Sequence, residues 1–311
     1  MGETYVQAIN DRVLLFDGAM GTEIQMLNLE PNDFPDNKEG FNDGLVLTRP
    51  DLIKGIHRRY LQAGADCIET NTFGSNELKL REYGYGDRTV EFNKLAATLS
   101  VSVAKEFTDK PRYVIGSMGP TGFLPSSNDP DLGQIDLEKI VESYSLQAEG
   151  LIIGGIDALL IETSQDILEV KLAIKACHEA IQKTGRTVPI IANVTLDKYG
   201  KMLLGTNVQA AYTTVCDMGI TAFGLNCSTG PIEMDPSVRW LDEQNELPLL
   251  VMPNAGMPEN EGGKAVYKMT PHDITHIMGQ FLKKYKNIRM VGGCCGTTPA
   301  HISELSKVIV Q

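Results

Sequence analysis

The chain has 311 residues, 42% of them hydrophobic, and its 28 basic and 40 acidic side chains give a formal net charge of −12; this length suits one large α/β barrel. A polyanion such as nucleic acid is repelled by that field, and no dense Lys/Arg run offsets it locally, so nucleic acid is excluded as a partner. No apolar run is long enough to cross a bilayer and no basic stretch with an apolar core opens the chain, so neither a membrane span nor a secretory signal is expected, and the expected location is cytoplasmic.

In chain order, short apolar runs alternate with segments of helical periodicity. The runs at 13–19, 67–73, 113–119, 158–163, 190–196, 222–227, 249–255 and 290–295 are rich in Val, Ile, Leu or Ala. Most are continuous rather than alternating, as strands buried on both faces are. Helices are predicted at 51–63, 91–107, 137–153, 166–182, 208–218, 237–245, 271–284 and 299–310, several opening on Pro or an acidic residue. Eight strand–helix units predict a (β/α)8 TIM barrel, one domain over 1–311. A doubly wound open sheet is the alternative. The count of eight favours closure, and so does the lack of a Gly-x-Gly-x-x-Gly turn after the first strand. The connections 23–49, 120–135 and 256–270 are long and rich in Gly, Pro, Asn and Asp. All three follow a strand, so they belong to the C-terminal mouth, where such barrels keep their active sites.

The strand ends carry the chemistry. They read Asp17-Gly18-Ala19, Glu69-Thr70-Asn71-Thr72, Glu162-Thr163, Asn226-Cys227, Asn254 and Cys294-Cys295. The sixth and eighth strands are separated by one strand, so their ends lie ~10 Å apart. Cys227, Cys294 and Cys295 could converge there on one zinc ion through bonds of ~2.3 Å. Neighbours in a regular strand point to opposite faces. Cys294 and Cys295 can therefore share an ion only where the backbone is irregular, and Gly292, Gly293 and Gly296 allow that. Three ligands leave one tetrahedral position for a substrate, and metal coordination would ionise a thiol substrate that is mostly protonated at neutral pH.

Other readings of the same residues stay open. The two adjacent cysteines could form a redox pair, or a closed structural site with His272 or His301. The glycines of 292–297 could cradle phosphate. Cys67, Cys177 and Cys216 read as small buried hydrophobes. The Asp17–Ala19 turn could bind a carboxylate through its N–H groups. Glu162 needs a cation, either a substrate ammonium or a structural Lys or Arg. Asn254 is a hydrogen-bonding candidate.

The motifs Asp17-Gly18-Ala19-Met20-Gly21-Thr22, Gly224-Leu225-Asn226-Cys227-Ser228 and Gly292-Gly293-Cys294-Cys295-Gly296-Thr297-Thr298-Pro299 resemble those of the homocysteine S-methyltransferases, over about residues 11–309. The resemblance implies a (β/α)8 barrel with zinc on Cys227, Cys294 and Cys295. It implies that the Asp17–Ala19 turn holds the carboxylate end of homocysteine and that Glu162 takes its amino group; Asn254, a hydrogen-bonding candidate on its own reading, is grouped with these substrate-binding residues. It implies transfer of a methyl group to the homocysteine sulfur, giving methionine, with no side-chain base.

Three methyl donors serve this family: betaine, S-methylmethionine and methylcobalamin. Gly119-Pro120-Thr121-Gly122, Asn128-Asp129-Pro130 and Pro253-Asn254-Ala255-Gly256 resemble the homocysteine domain of cobalamin-dependent methionine synthases, which favours methylcobalamin. The Asp-x-His-x-x-Gly cobalamin motif is absent, so a corrinoid would come on another domain or chain. A stand-alone enzyme using another donor, a non-catalytic module that presents homocysteine to a partner, and a vicinal-thiol redox sensor are the alternatives.

Overall fold

Residue alternation along the strands sorts the apolar side chains into two cores, one inside the barrel and one outside it. The computed structural model describes residues 3–244, 246–262 and 264–309. The eight strands are β1 Leu14–Leu15, β2 Cys67–Glu69, β3 Tyr113–Met118, β4 Ala158–Ser164, β5 Ile190–Val194, β6 Ala222–Asn226, β7 Leu249–Met252 and β8 Ile288–Val291. They form one parallel sheet in the order β1-β8-β7-β6-β5-β4-β3-β2. Closure comes from a parallel bridge between Phe16 and Cys67 and from the Asp66 N–H donating to the Leu15 carbonyl at 2.7 Å. The fold is the expected (β/α)8 barrel.

Inside, Leu14, Phe16, Cys67, Ile115, Leu160, Ile191, Leu250 and Met290 pack together. Their neighbours Leu15, Ile68, Val114, Leu159, Ile161, Val251 and Val291 face the helices, as period-two alternation requires. Two residues further along, the inward positions turn polar: Cys67 gives way to Glu69, Ile115 to Ser117 and Leu160 to Glu162. The barrel is thus sealed with hydrocarbon below and lined with hydrogen-bonding groups above.

A helix not expected from the sequence, Tyr5–Asp11, covers the lower end. Thr4 and Gln7 form a capping box at its start. Its Tyr5, Ala8 and Ile9 join the interior core, and the Tyr5 hydroxyl reaches Met290 Sδ at 2.9 Å. Seven residues are too few to show a periodic apolar stripe.

The outer helices Pro50–Gln62, Thr89–Ala104, Leu137–Gly154, Ile167–Thr184, Val208–Val215, Pro231–Gln244, Pro271–Lys284 and Pro299–Ile309 match the eight expected. Asn245 and Val310, expected to end two of them, lie outside the described residues, as do Met1, Gly2 and Gln311. One helix starts at Pro231, not at 237, because Pro236 sits inside it; proline lacks the N–H for one helical bond and reads in sequence as a start. The first, second, seventh and eighth strands end short of their apolar runs, since periodicity reports burial and not where the ladder ends. No described helix is long and apolar enough to cross a membrane.

The long connections carry their own structure. The one after β1 holds the helix Met20–Gln25 and three 3-10 turns. The one after β7 folds into an antiparallel hairpin, Glu259–Glu261 with Lys264–Val266.

Candidate active site

Two loops bring three cysteines together at the upper rim. After β6 the chain turns through Cys227 and Ser228, both in the left-handed region with φ of 63°. That conformation costs a non-glycine residue roughly 1–2 kcal/mol, and strain of this kind collects at functional sites. It is fixed by the Thr229 N–H donating to the Cys227 carbonyl at 2.7 Å and the Cys227 N–H donating to Met252 at 3.2 Å. After β8 the chain leaves the ladder at Val291, so Cys294 and Cys295 lie in a turn rather than in a strand. Gly296 closes that turn with φ of 79°. The irregular backbone expected around Cys294-Cys295 is present; the equal irregularity at Cys227 has no sequence signal, since neither Cys nor Ser marks a left-handed residue.

The three Sγ atoms lie within 4.8 Å of one another, and Cys227 Sγ is 3.7 Å from Cys295 Sγ. Thiolates at ~2.3 Å around a tetrahedral zinc are ~3.8 Å apart, so the spacing fits such an ion. Asn226 Nδ2, which donates to Glu162 and Thr163, also lies 3.9 Å from Cys294 Sγ, and Tyr267 lines the same space as the sulfurs. Hydrogen bonds from Cys227 and Cys294 pull the Cys295 thiol down to about 3. Bonds with Cys227 and Cys295 push Cys294 up. For Cys227 the bond with Cys294 lowers the value, but the bond with Cys295 and burial outweigh it and push it up to about 12.

The cluster opens into a cavity of about 850 Å³. Among the acidic residues that line the same space are Asp17, Glu69 and Glu162. Glu162 Oε1 accepts from Ser117 Oγ at 2.5 Å. Its Oε2 accepts from Asn226 Nδ2 at 3.1 Å and from Thr163 Oγ1 at 3.3 Å. Thr163 has φ of 55° and the β4–β5 register shifts there; Asn226 holds this kink by accepting from the Thr163 N–H at 2.8 Å. Asp17 Oδ2 accepts from the Glu69 N–H at 3.0 Å, while Asp17 Oδ1 and Glu69 Oε1 are buried without a partner. Burial raises all three carboxyls, and mutual repulsion adds to this for Asp17 and Glu69. No Lys or Arg pairs with them among the described residues, so the structural ion pair considered for Glu162 is not made. An acidic wall with unspent acceptors suits an incoming ammonium.

Residues 14–309 match the family model described as homocysteine S-methyltransferase. The chain belongs to the homocysteine S-methyltransferase family. It is 40% identical over 308 residues to the methionine synthase of Mycobacterium tuberculosis (strain ATCC 25618 / H37Rv) and 39% identical to that of Mycobacterium leprae (strain TN). Each match covers 98% of this chain, which spans 25% of the relative's length. The fold is also that of the homocysteine methyltransferase MmuM from Escherichia coli in its metallated form, with a TM-score of 0.73 at 21% identity over 96% of both chains.

Against this family background the structure places the sequence-derived residues unequally. Cys227, Cys294, Cys295, Asp17, Gly18, Ala19 and Glu162 all line the cavity. Asn254 is buried beside the Cys294–Cys295 turn, its N–H donating to the Thr229 carbonyl at 3.0 Å, while its neighbours Pro253 and Ala255 bond the backbone of Cys294 and Cys295; its Oδ1 is buried without a partner. The Ala19 N–H is already taken by Thr297 Oγ1 at 3.2 Å, which narrows the turn's free donors.

Two other readings of the cysteine motif, the closed structural site and the phosphate cradle, meet specific obstacles. His301 donates or accepts at Thr298 and Met269 and His272 is exposed, so neither joins the sulfurs. The N–H groups of Gly292, Gly293, Cys294, Gly296 and Thr297 are all engaged within the protein, leaving no phosphate cradle. Cys67 and Cys177 are buried, and Cys216 is partly so. The sequence placed Glu69 and Asn226 among the polar strand ends but gave neither a role, and it did not point out Ser117, although period two from Cys67, Ile115 and Gly224 leads to all three. Tyr267 had no such signal, because it arrives on an irregular hairpin.

Proposed function

We propose that Cys227, Cys294 and Cys295 hold a zinc ion and that the chain transfers a methyl group to the sulfur of homocysteine, giving methionine. One observation carries this: three unbridged thiols and three carboxylates without a Lys or Arg partner among the described residues line one cavity. Homocysteine has a thiol at one end and an ammonium at the other, and matches both. The three cysteines bring the negative charge and soft donors that suit the metal. Bound there, zinc would supply Lewis acidity that keeps a substrate thiol ionised at neutral pH.

Glu162 accepts the ammonium, held in place by Ser117, Thr163 and Asn226. Asp17 and Glu69 complete the cationic subsite with their unspent oxygens. The substrate carboxylate falls to the Asp17–Ala19 turn at Gly18, since the Ala19 N–H is committed. Held at both ends, the substrate presents its sulfur for in-line attack on the donor methyl. The new S–CH3 bond forms as the bond from methyl to donor breaks, and no side-chain base is required.

The donor we favour is methylcobalamin, carried on another domain or chain. The support is the likeness to methionine synthases four times longer than this chain. Three close thiols without a disulfide persist in a reducing compartment, and we place the protein in the cytoplasm on that ground.

The test is zinc content together with methionine formation from methylcobalamin, betaine and S-methylmethionine in turn. About one zinc per chain and transfer from methylcobalamin is the expected result. Transfer from another donor would reassign the donor alone. No turnover with any donor would leave a homocysteine-presenting module, and no zinc in a reduced sample would refute the metal site.

A further inference from the structure

A substrate held at both ends reacts well only if the two ends are correctly placed relative to each other. Here the ammonium end is Glu162, on β4, and the sulfur end is the cysteine cluster, whose first member follows β6. β5 lies between those two strands, so the ladder does not join them directly.

Asn226 joins them. It closes β6 and is buried, and both polar atoms of its side chain are used on the end of β4. Its Oδ1 accepts from the Thr163 N–H at 2.8 Å. Its Nδ2 donates to Glu162 Oε2 at 3.1 Å and to Thr163 Oγ1 at 2.8 Å. The Thr163 hydroxyl in turn reaches Glu162 Oε2 at 3.3 Å. The amide can sit only this way round, because its oxygen must face an N–H and its NH2 a carboxylate. These bonds hold a strained segment, since Thr163 is left-handed and the β4–β5 register shifts there. The main chain of Asn226 is fastened separately, its carbonyl accepting from Thr195 Oγ1 at 2.7 Å. The next residue is Cys227, at the start of its own left-handed turn.

We propose that Asn226 is the positioning residue that registers the ammonium subsite against the metal site: its side chain fixes Glu162 and the kinked end of β4, and its main chain carries Cys227. Removing the amide leaves the Glu162 charge and all three cysteines in the chain. The loss falls on alignment. Homocysteine forfeits part of the benefit of its amine, and its sulfur sits less well for in-line attack, so KM rises and kcat falls together. Neutralising Glu162 acts on binding alone, which separates the two residues. The inference deepens the homocysteine methyl-transfer reading and rests on it.

The test uses the zinc-loaded full chain, with zinc content measured on every sample. Calorimetry gives Kd for homocysteine and for γ-mercaptobutyric acid, the same thiol acid without the amine. The preference for homocysteine should fall about tenfold in Asn226→Ala, the equivalent of one charge-assisted hydrogen bond, with zinc content unchanged. Turnover should show kcat reduced as well. Added to Glu162→Gln, the same substitution should remove no further preference for the amine, because Asn226 acts on it through Glu162. Thr163→Val cuts the relayed bond and keeps the direct one; it should give a smaller loss of the same kind, and it serves if Asn226→Ala does not fold. An equal loss of affinity for both thiols, or a further loss of amine preference in the Glu162→Gln background, would overturn the proposal and leave Asn226 a residue of the fold. A wild-type chain that binds both thiols equally would overturn the ammonium subsite itself, and this proposal with it.

Discussion

Replacing Asp43 with Asn should make the protein more stable at neutral pH and remove part of its pH dependence. Asp43 stands in the wall of the cavity, its Oδ1 accepting from the Gly74 N–H at 2.9 Å and from Ser75 Oγ at 3.1 Å. Burial raises its pKa from 3.8 to about 6, against the lowering effect of those two donors. A rise of that size is worth about 3 kcal/mol. The folded chain holds this proton more tightly than the unfolded chain does. The associated stability is therefore fully present below about pH 4 and is lost as pH rises through about 6. An Asn carbonyl can accept the same two hydrogen bonds and has no charge to desolvate. Urea unfolding of both proteins, at a series of pH values from about 4 to 8, reads the effect. Asp17, Glu69 and Glu162 are present in both chains, so the difference between the curves isolates Asp43. The two stabilities should converge near pH 4 and separate by about 3 kcal/mol above pH 7, with the variant the more stable. Parallel curves across the range would refute the burial argument.

Glu162→Gln should raise KM for homocysteine by about 10- to 100-fold with kcat nearly unchanged, because it removes a charge-assisted bond made equally in the ground and transition states; steady-state kinetics against a thiol acid lacking the amine checks this, and an unchanged preference for the amine would count against the ammonium subsite. Gly296→Ala should lower stability by about 1–2 kcal/mol through its positive φ. It should also weaken zinc retention against a chelator by dislodging Tyr267; wild-type behaviour in both measurements would show that the hairpin packs loosely.

Much of this molecule can be read from local chemistry. Runs such as Ala158–Ser164 and Ile190–Val194 are apolar on both faces because a barrel strand is buried on both, and that property is carried by each residue's own transfer free energy. The eightfold alternation therefore announces the barrel. The cysteine motifs announce a candidate metal site, and the strand-end positions put Glu162 at the mouth. Short or irregular pieces leave no such trace. The helix Tyr5–Asp11 has too few turns for a period, and the hairpin over the site has no apolar run.

The tertiary structure alone decided the rest. The left-handed turn at Cys227 and Ser228 is held by bonds to β7 and to its own next residue, against the local preference of both side chains. Asn254 satisfies the same residue-type argument as Glu162, yet its Oδ1 is buried without a partner where Glu162 is held by three side chains. The grouping of Asp17, Glu69 and Glu162 needs three strands whose order around the barrel is set by closure between β1 and β2. Burial and chain path are collective properties. They raise the three carboxyls together and bring Tyr267 to Gly296, and no single stretch of sequence contains either.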